Sequence, residues 1–182
     1  APEGAGVGTS WAEAAPLGAL TELISATEPG GEILVAADLG PYEIYDPIDI
    51  AAGGARGFAV SIRGVDSRTG EAMAATIKGY RTPEEMGPSA FRLRRGASNL
   101  RFSHFAFRDI GNGAVAVTAP VSDLVVENCT FENVYRFFEN TAGDGEGHAS
   151  IRDFVIRQCT GVGAERGFLR IRYNARGGLI ED

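Results

Sequence analysis

"SDLVVENCTFENV", running from Ser122 to Val134, returns as "RDFVIRQCTGVGA" from Arg152 to Ala164, with Leu124 over Phe154, Val126 over Ile156, Cys129 over Cys159 and Val134 over Ala164. The segment before them, "SNLRFSHFAFRDI" from Ser98 to Ile110, aligns in the same way and brings Leu100, Phe102, Phe105 and Ile110 into those four columns. Phe107, Phe131 and Gly161 share one further slot. A fourth copy begins in "RGGLIED", where Gly178 takes the place of Leu100 and Ile180 that of Phe102. The spacings are 24, 30 and again 24 residues. Between the copies lies a second alternating segment: "AFRLR" (Ala90 to Arg94), "GAVAV" (Gly113 to Val117) and "GFLRI" (Gly167 to Ile171). Phe91 with Leu93, Val115 with Val117, and Leu169 with Ile171 fall in register there.

Each unit therefore holds two or three short apolar-polar alternations separated by Gly, Asn, Asp or Pro. They are too short for helices and have the period of strands. A strand pattern that recurs about every two dozen residues predicts an all-β chain coiled as a parallel β-helix. In such a solenoid each turn lays its strands about 4.8 Å from those of the turn before, and identical slots stack into continuous columns. No turn can bury its inward face alone, which is why the chain repeats itself. His104, Asn128, Gln158 and Asp182 share the slot before the aromatic or Cys column. A bend belongs there, because Asn and Asp tolerate left-handed backbone and bond locally to it.

The N-terminal stretch "SWAEAAPLGALTELISAT" reads differently. Ser10 stands three residues before Glu13, a capping-box spacing, and Leu17, Leu20, Leu23 and Ile24 make one apolar stripe. An amphipathic helix over residues 10–27, its start moved inward by Pro16, is expected to lie across the first rung and cover its strand edges. Coils are expected from residue 30 to residue 182, in a single domain. The chain is 182 residues long with 44% apolar and 23% charged residues, enough for one sizeable core. No run of eighteen apolar residues occurs, so no membrane partner is expected. A net charge of −7 argues against general nucleic-acid binding. The chain starts at Ala1, which fits either a mature chain after removal of a signal or a trimmed one, and the expected localisation is secreted or periplasmic.

The succession of the helical stretch, "PGGEILVAADLGPYEI", "VSIRGV", "ATIKG", "NLRFSHFAFRDI" and "DLVVENCTFENV" resembles right-handed parallel β-helix proteins of the pectate-lyase-like superfamily. That superfamily includes polysaccharide lyases, glycoside hydrolases and uronate epimerases. The resemblance covers essentially the whole chain and speaks for the fold more than for the activity, since one scaffold hosts many reactions. Neither the "WIDH" segment of classical pectate lyases nor the "NTD" and "DD" pair of polygalacturonases is present. The sequence stops within a repeat, so the resemblance implies an apparently uncapped C-terminal end. The expectation is the N-terminal part of a longer β-helix, or end-to-end self-association through the open rung.

By the same resemblance, substrate lies in a groove over the sheet formed by "GAVAV" and "GFLRI". Alternation puts Phe91, Leu93, Val115, Val117, Leu169 and Ile171 inside, hence Arg92, Arg94, Arg170 and Arg172 outside, with Arg166 sharing their parity. Planar cations gathered on one face of an acidic chain suit recognition of carboxylate or sulfate. The intervening "VYRFFENTAGDGEGHAS" leaves two phases open. With Phe137 inward, Arg136 and Phe138 face the groove; with Phe138 inward, Phe137 and Glu139 do. The six extra residues of this repeat fall around residues 140–149 and carry Asp144, Glu146 and His148.

These residue types fit a lyase acting by β-elimination on an acidic, uronate-containing polysaccharide. Arg136, Arg166 and Arg170 would offset the substrate carboxylate, and His148, Tyr135, Tyr173 or an Arg of unusual environment would move the proton. Glu139 is the catalytic carboxylate candidate, since hydrolysis would pair it with Glu146 or Asp144. Arg92, Arg94, Asn112, Arg172 and Tyr173 are the substrate-binding candidates. Asp144 and Glu146 are the only ligands for a Ca2+ cofactor, too few by themselves, and no spacing suggests zinc. The remaining alternative is a non-catalytic β-helix scaffold or carbohydrate-binding module. Cys129 and Cys159, stacked in one column on adjacent turns, could approach disulfide distance, but the resemblance, with its habit of stacking small apolar side chains, implies buried free thiols.

Overall fold

The computed structural model describes residues 8–141 and 149–182. Five successive three-strand turns account for most of them. The first holds β1 (Glu32–Ala36), β2 (Tyr42–Glu43) and β3 (Ile48–Ile50); the second β4 (Val60–Val65), β5 (Ala75–Lys78) and β6 (Phe91–Leu93). The third holds β7 (Leu100–Ser103), β8 (Phe105–Ile110) and β9 (Val115–Val117); the fourth β10 (Val121–Glu127), β11 (Thr130–Val134) and β12 (Phe138–Asn140). The fifth holds β13 (Ile151–Arg157), β14 (Thr160–Ala164) and β15 (Leu169–Ile171), and is followed by β16 (Ala175–Arg176) and β17 (Leu179–Glu181). All ladders between these strands are parallel, and they build three stacked sheets. Sheet A runs β1-β4-β7-β10-β13-β16, with β17 also on β13; sheet B is β2-β5-β8-β11-β14; sheet C is β3-β6-β9-β12-β15. The chain is thus a solenoid of the parallel β-helix kind.

The repeat columns are those of the sequence. Leu100, Leu124 and Phe154 are paired across β7, β10 and β13, as are Phe102, Val126 and Ile156. Inside, this puts aromatic rings in contact from turn to turn. Phe91 stacks on Phe102 at 5.1 Å, and Phe137 lies 5.1 Å from both Phe131 and Phe168 and 6.0 Å from Phe107. Such ring pairs add roughly 0.5–1.5 kcal/mol each beyond the area they bury.

Bends come from single residues in left-handed backbone. His104, Asn128 and Gln158 have φ of 56°, 51° and 51° at the corner between sheets A and B, as their shared slot requires. Two more such columns were not foreseen. Asn99, Asp123, Asp153 and Gly177 precede the Leu100 column, and Asp109, Asn133 and Gly163 fall near the ends of the sheet B strands, all at positive φ. Their Asn, Asp and Gly identities at the repeat spacing are the signal that would have revealed them.

The N-terminal stretch departs from the expected helix over residues 10–27. Single 3₁₀ turns cover Trp11–Glu13 and Leu17–Ala19, and the only α-helix among the described residues is α1 (Leu20–Ala26). Pro16 is the reason: its ring disfavours helical backbone at Ala15 and it has no N–H to donate, and Pro16 itself is extended. Ser10 does accept from the Glu13 N–H, at 3.3 Å. Leu20 and Ile24 are buried, and Thr21 ties α1 to the end of β3 by donating to the Asp49 carbonyl and accepting from the Ala51 N–H. No helix among the described residues is long and apolar enough to cross a membrane.

Candidate functional site

On sheet C the strands are three residues long, so each offers one central outward side chain. Register stacks Asp49, Arg92, Ala116, Glu139 and Arg170 into one outward column. The phase that was open is settled with a difference: Phe138 sits in the inward column with Val115 and Leu169, yet Phe137 is fully buried as well. Backbone bends at Tyr135 and Phe137 let two consecutive rings enter the core. Phe137 therefore does not face outward from sheet C.

The column alternates in charge. Arg92 forks onto Asp49, with Nε 2.5 Å from Oδ1 and Nη2 2.7 Å from Oδ2, and Arg94 lies 3.6 Å from the same carboxylate. This hydrogen bonding, more than simple charge proximity, holds the Asp49 carboxyl below its ordinary value. Arg92 is correspondingly raised. Asp49 was not among the sequence candidates, although the alternation in "IDI" gives its outward position. Above the small Ala116, Glu139 is only 2% exposed. Its Oε2 is 3.2 Å from Nη1 of Arg136 and 3.8 Å from Nη1 of Arg170. Arg136 is itself buried, with its Nε unpaired.

Arg136 is also the innermost of three guanidinium groups around one ring. It lies 4.5 Å from the centroid of Tyr135, while Arg81 and Arg166 each lie 6.0 Å away. Arg81 comes from the irregular second turn, where no repeat pattern marked it. Its Nη1 donates to Asn133 at 2.6 Å and its Nη2 to Glu165. Arg166 is exposed and lies 3.8 Å from Glu165. The structure thus gathers Arg136, Arg166, Arg170 and Glu139 on the last two turns of sheet C, with Tyr135 beside them.

The other candidates lie around that core. Arg92 and Arg94 are on β6 and just after it, two turns below Glu139. Asn112 is exposed in the loop before β9, and its carbonyl accepts from the Ser89 hydroxyl. Arg172 is exposed and Tyr173 half-buried beyond β15. Both of their backbone N–H groups donate to Oδ1 of Asn140, at 2.6 and 3.3 Å. Asn140 was not foreseen: it is fully buried in the inward column of Val117 and Ile171, where a polar residue is unusual. His148, Asp144 and Glu146 lie outside the described residues, and with them the Ca2+ ligands. Among the described residues no cluster of three metal-ligating side chains exists.

The two outward acids of the described part of this column are poorly placed to act together. Asp49 and Glu139 are three turns apart, roughly 14 Å at about 4.8 Å per turn, beyond the separation of about 5–9.5 Å that glycoside hydrolysis uses. The two cysteines are free, but only Cys129 is buried as expected; Cys159, on the fifth turn, is half-buried. Cys129 is buried, which pushes its thiol well above the ordinary range and leaves it a packing residue. Comparisons of the chain with protein-family models, with curated proteins and with solved structures found no match.

Proposed function

We propose that the protein acts on an acidic, uronate-containing polysaccharide laid along sheet C, as a lyase working by β-elimination. One observation carries this reading: Arg92, Arg94, Arg136, Arg166, Arg170 and Arg172 gather on or beside the outer face of sheet C, outnumbering the described acids beside them, Asp49, Glu139 and Glu165, in a chain of net charge −7. In this reading Arg166 and Arg170, both more accessible than the buried Arg136, bind the uronate carboxylate and offset its charge. The adjacent C–H proton then becomes acidic. A base removes it, the glycosidic C–O bond breaks, and a C=C bond forms in the uronate while the departing oxygen takes up a proton. Tyr135, ringed by guanidinium groups, is the described group best placed for proton transfer. Glu139 fixes Arg136 and Arg170 from behind. The wide separation of Asp49 and Glu139 favours elimination over hydrolysis.

Within this reading the solenoid is a right-handed β-helix of the pectate-lyase-like type, secreted or periplasmic, with α1 and the turns before it closing its first rung. A second reading, a non-catalytic scaffold that assembles end to end, is favoured by one feature: Val162, Leu179 and Ile180 are 69%, 49% and 50% exposed on the last strands. Further coils of a longer β-helix would cover the same side chains.

Incubation with a panel of uronate polysaccharides tests both. Elimination yields unsaturated products with ultraviolet absorbance, and Arg166→Ala with Arg170→Ala abolishes them. New reducing ends without that absorbance would replace the lyase by a hydrolase. No products, with binding or self-association intact, would replace it by the scaffold.

A further inference from the structure

Away from sheet C, two cavities adjoin on the outer side of sheet B. One, of about 340 Å³, is walled by Tyr45 and Tyr80; the other, of about 310 Å³, reaches to Pro41 and Glu132, and they share Lys78 and Asp109. Each lies at the small end of the range of about 300–1,000 Å³ found for small-molecule sites. Together they form a trough with room for more than one ring.

Its aromatic wall is exposed. Tyr45 and Tyr80 come from equivalent loops of successive turns and stack with centroids 6.1 Å apart and planes inclined by 26°. Tyr45 is nevertheless 71% exposed and Tyr80 37%. Rings that pack the core of this protein are buried, whereas these two present a face two turns tall to solvent. An aromatic face beside a polar floor suits a ligand with one apolar and one hydrogen-bonding side.

The charges of the trough decide which ligand. Its cations and acids are matched: Lys78 lies 3.8 Å from Glu43, Arg108 lies 3.4 Å from Glu132, and Arg81 is turned away toward Asn133 and Glu165. Asp109 accepts from Asn133 at 2.7 Å. No cationic excess is present for a carboxylate or sulfate, in contrast to sheet C. Paired carboxylates and ammonium groups instead offer acceptors and donors to hydroxyl groups. We infer that this trough is a binding site for a neutral oligosaccharide, with the C–H face of one pyranose on Tyr45 and Tyr80 and the hydroxyls of the next on Lys78, Asp109 and Glu43. The site adjoins the proposed sheet C site at Arg81, which lines the first cavity and also reaches Tyr135, but its ligand contacts come from Tyr45, Tyr80, Lys78, Asp109 and Glu43 and do not depend on the uronate chemistry.

Titration of the full chain with neutral cello-, manno-, xylo- and galacto-oligosaccharides, followed by calorimetry and by saturation transfer from protein to sugar protons, tests the inference. At least one series binds, and the double variant Tyr45→Ala/Tyr80→Ala weakens it about tenfold, the loss of roughly one good ring contact. Tyr45→Trp retains binding. Because Tyr45 is largely exposed and Tyr80 partly so, the alanine variant stays folded, its unfolding midpoint lowered by only about 2–4 °C. Arg166→Ala/Arg170→Ala leaves neutral binding unchanged, which separates this site from the uronate groove. Absence of binding by every neutral series, equal affinity in the tyrosine double variant, or loss in the arginine double variant would each overturn the assignment.

Discussion

Asn140 shows how one polar side chain can organise a turn. Its Oδ1 receives the Arg172 and Tyr173 N–H groups while its Nδ2 donates to the Tyr173 carbonyl at 3.3 Å, so the chain leaving β15 is fastened from inside the core. Asn140→Leu would match the aliphatic neighbours of its column but strand two N–H groups, a cost of roughly 2–4 kcal/mol. Urea denaturation should show the loss, and any lyase activity should fall with it because Arg170 is carried by the same strand. Asp49 allows a prediction in pH. Its carboxyl is lowered by the Arg92 fork, so its folded pKa lies below the unfolded value of about 3.9. The stabilisation is complete above that unfolded value and is lost as pH falls through the lowered folded one. Asp49 is 43% exposed, so screening keeps the effect small. Asp49→Asn should therefore lower stability slightly near neutrality and flatten the acid limb of the unfolding midpoint measured against pH.

At the scale of elements, strand position and facing were legible because period two and the repeat spacing agree at nearly every slot, from Leu100, Leu124 and Phe154 to Leu93, Val117 and Ile171. Periodicity fails where the backbone leaves the strand. Phe137 and Phe138 both turn inward because the backbone bends at Phe137, just before β12 begins, and alternation has no symbol for a bend. The helix was overextended for a related reason: the leucine stripe continues through Pro16, but the proline interrupts the hydrogen bonds. At the site, the outward arginines of sheet C were legible, whereas Arg81 reaches Tyr135 from an irregular turn with no repeat to betray it. Gly161 and Gly178, which interrupt apolar columns, prove to be matched to their neighbours in size. A Cβ on Gly178 would stand 2.4 Å from the Phe154 ring, and one on Gly161 would stand 2.6 Å from the Phe131 ring. Large rings on one turn are accommodated by bare backbone on the next. Gly178→Ala should then destabilise by about 1–3 kcal/mol through overpacking. Against a Phe154→Leu background the same change should cost clearly less, so a double-mutant cycle read by denaturation should give a coupling of opposite sign to the single effect. Additive costs would mean that the ring and the glycine do not share the space.

Over the whole molecule, stability must be distributed as in other stacked repeats, where each turn is held by its own hydrogen bonds and by contact with the turns on either side. The middle turns have both neighbours: Phe102, Phe105, Phe107, Val115 and Val134 are fully buried. Ion pairs follow the same stacking, with Glu127 receiving Arg101 at 2.7 Å from its own sheet on one side and Arg157 at 2.6 Å on the other. In the chain described here the last strands have a partner on one side only, and β14, β16 and β17 contain no buried residue. Opening them exposes little apolar surface and breaks one ladder rather than two, so its free energy should lie well below that of global unfolding. Amide hydrogen exchange should accordingly form a gradient along the axis. Protection should be greatest in β7 to β11, lower in β13, and least in β14 to β17, with the Arg172 and Tyr173 amides standing out from their surroundings because Asn140 holds them. Asn140→Leu should erase that local protection while leaving β7 to β11 unchanged. Uniform protection from β7 to β17 would mean that the stack opens only as one unit, and that the last strands are covered by a second copy of the chain under the conditions of measurement.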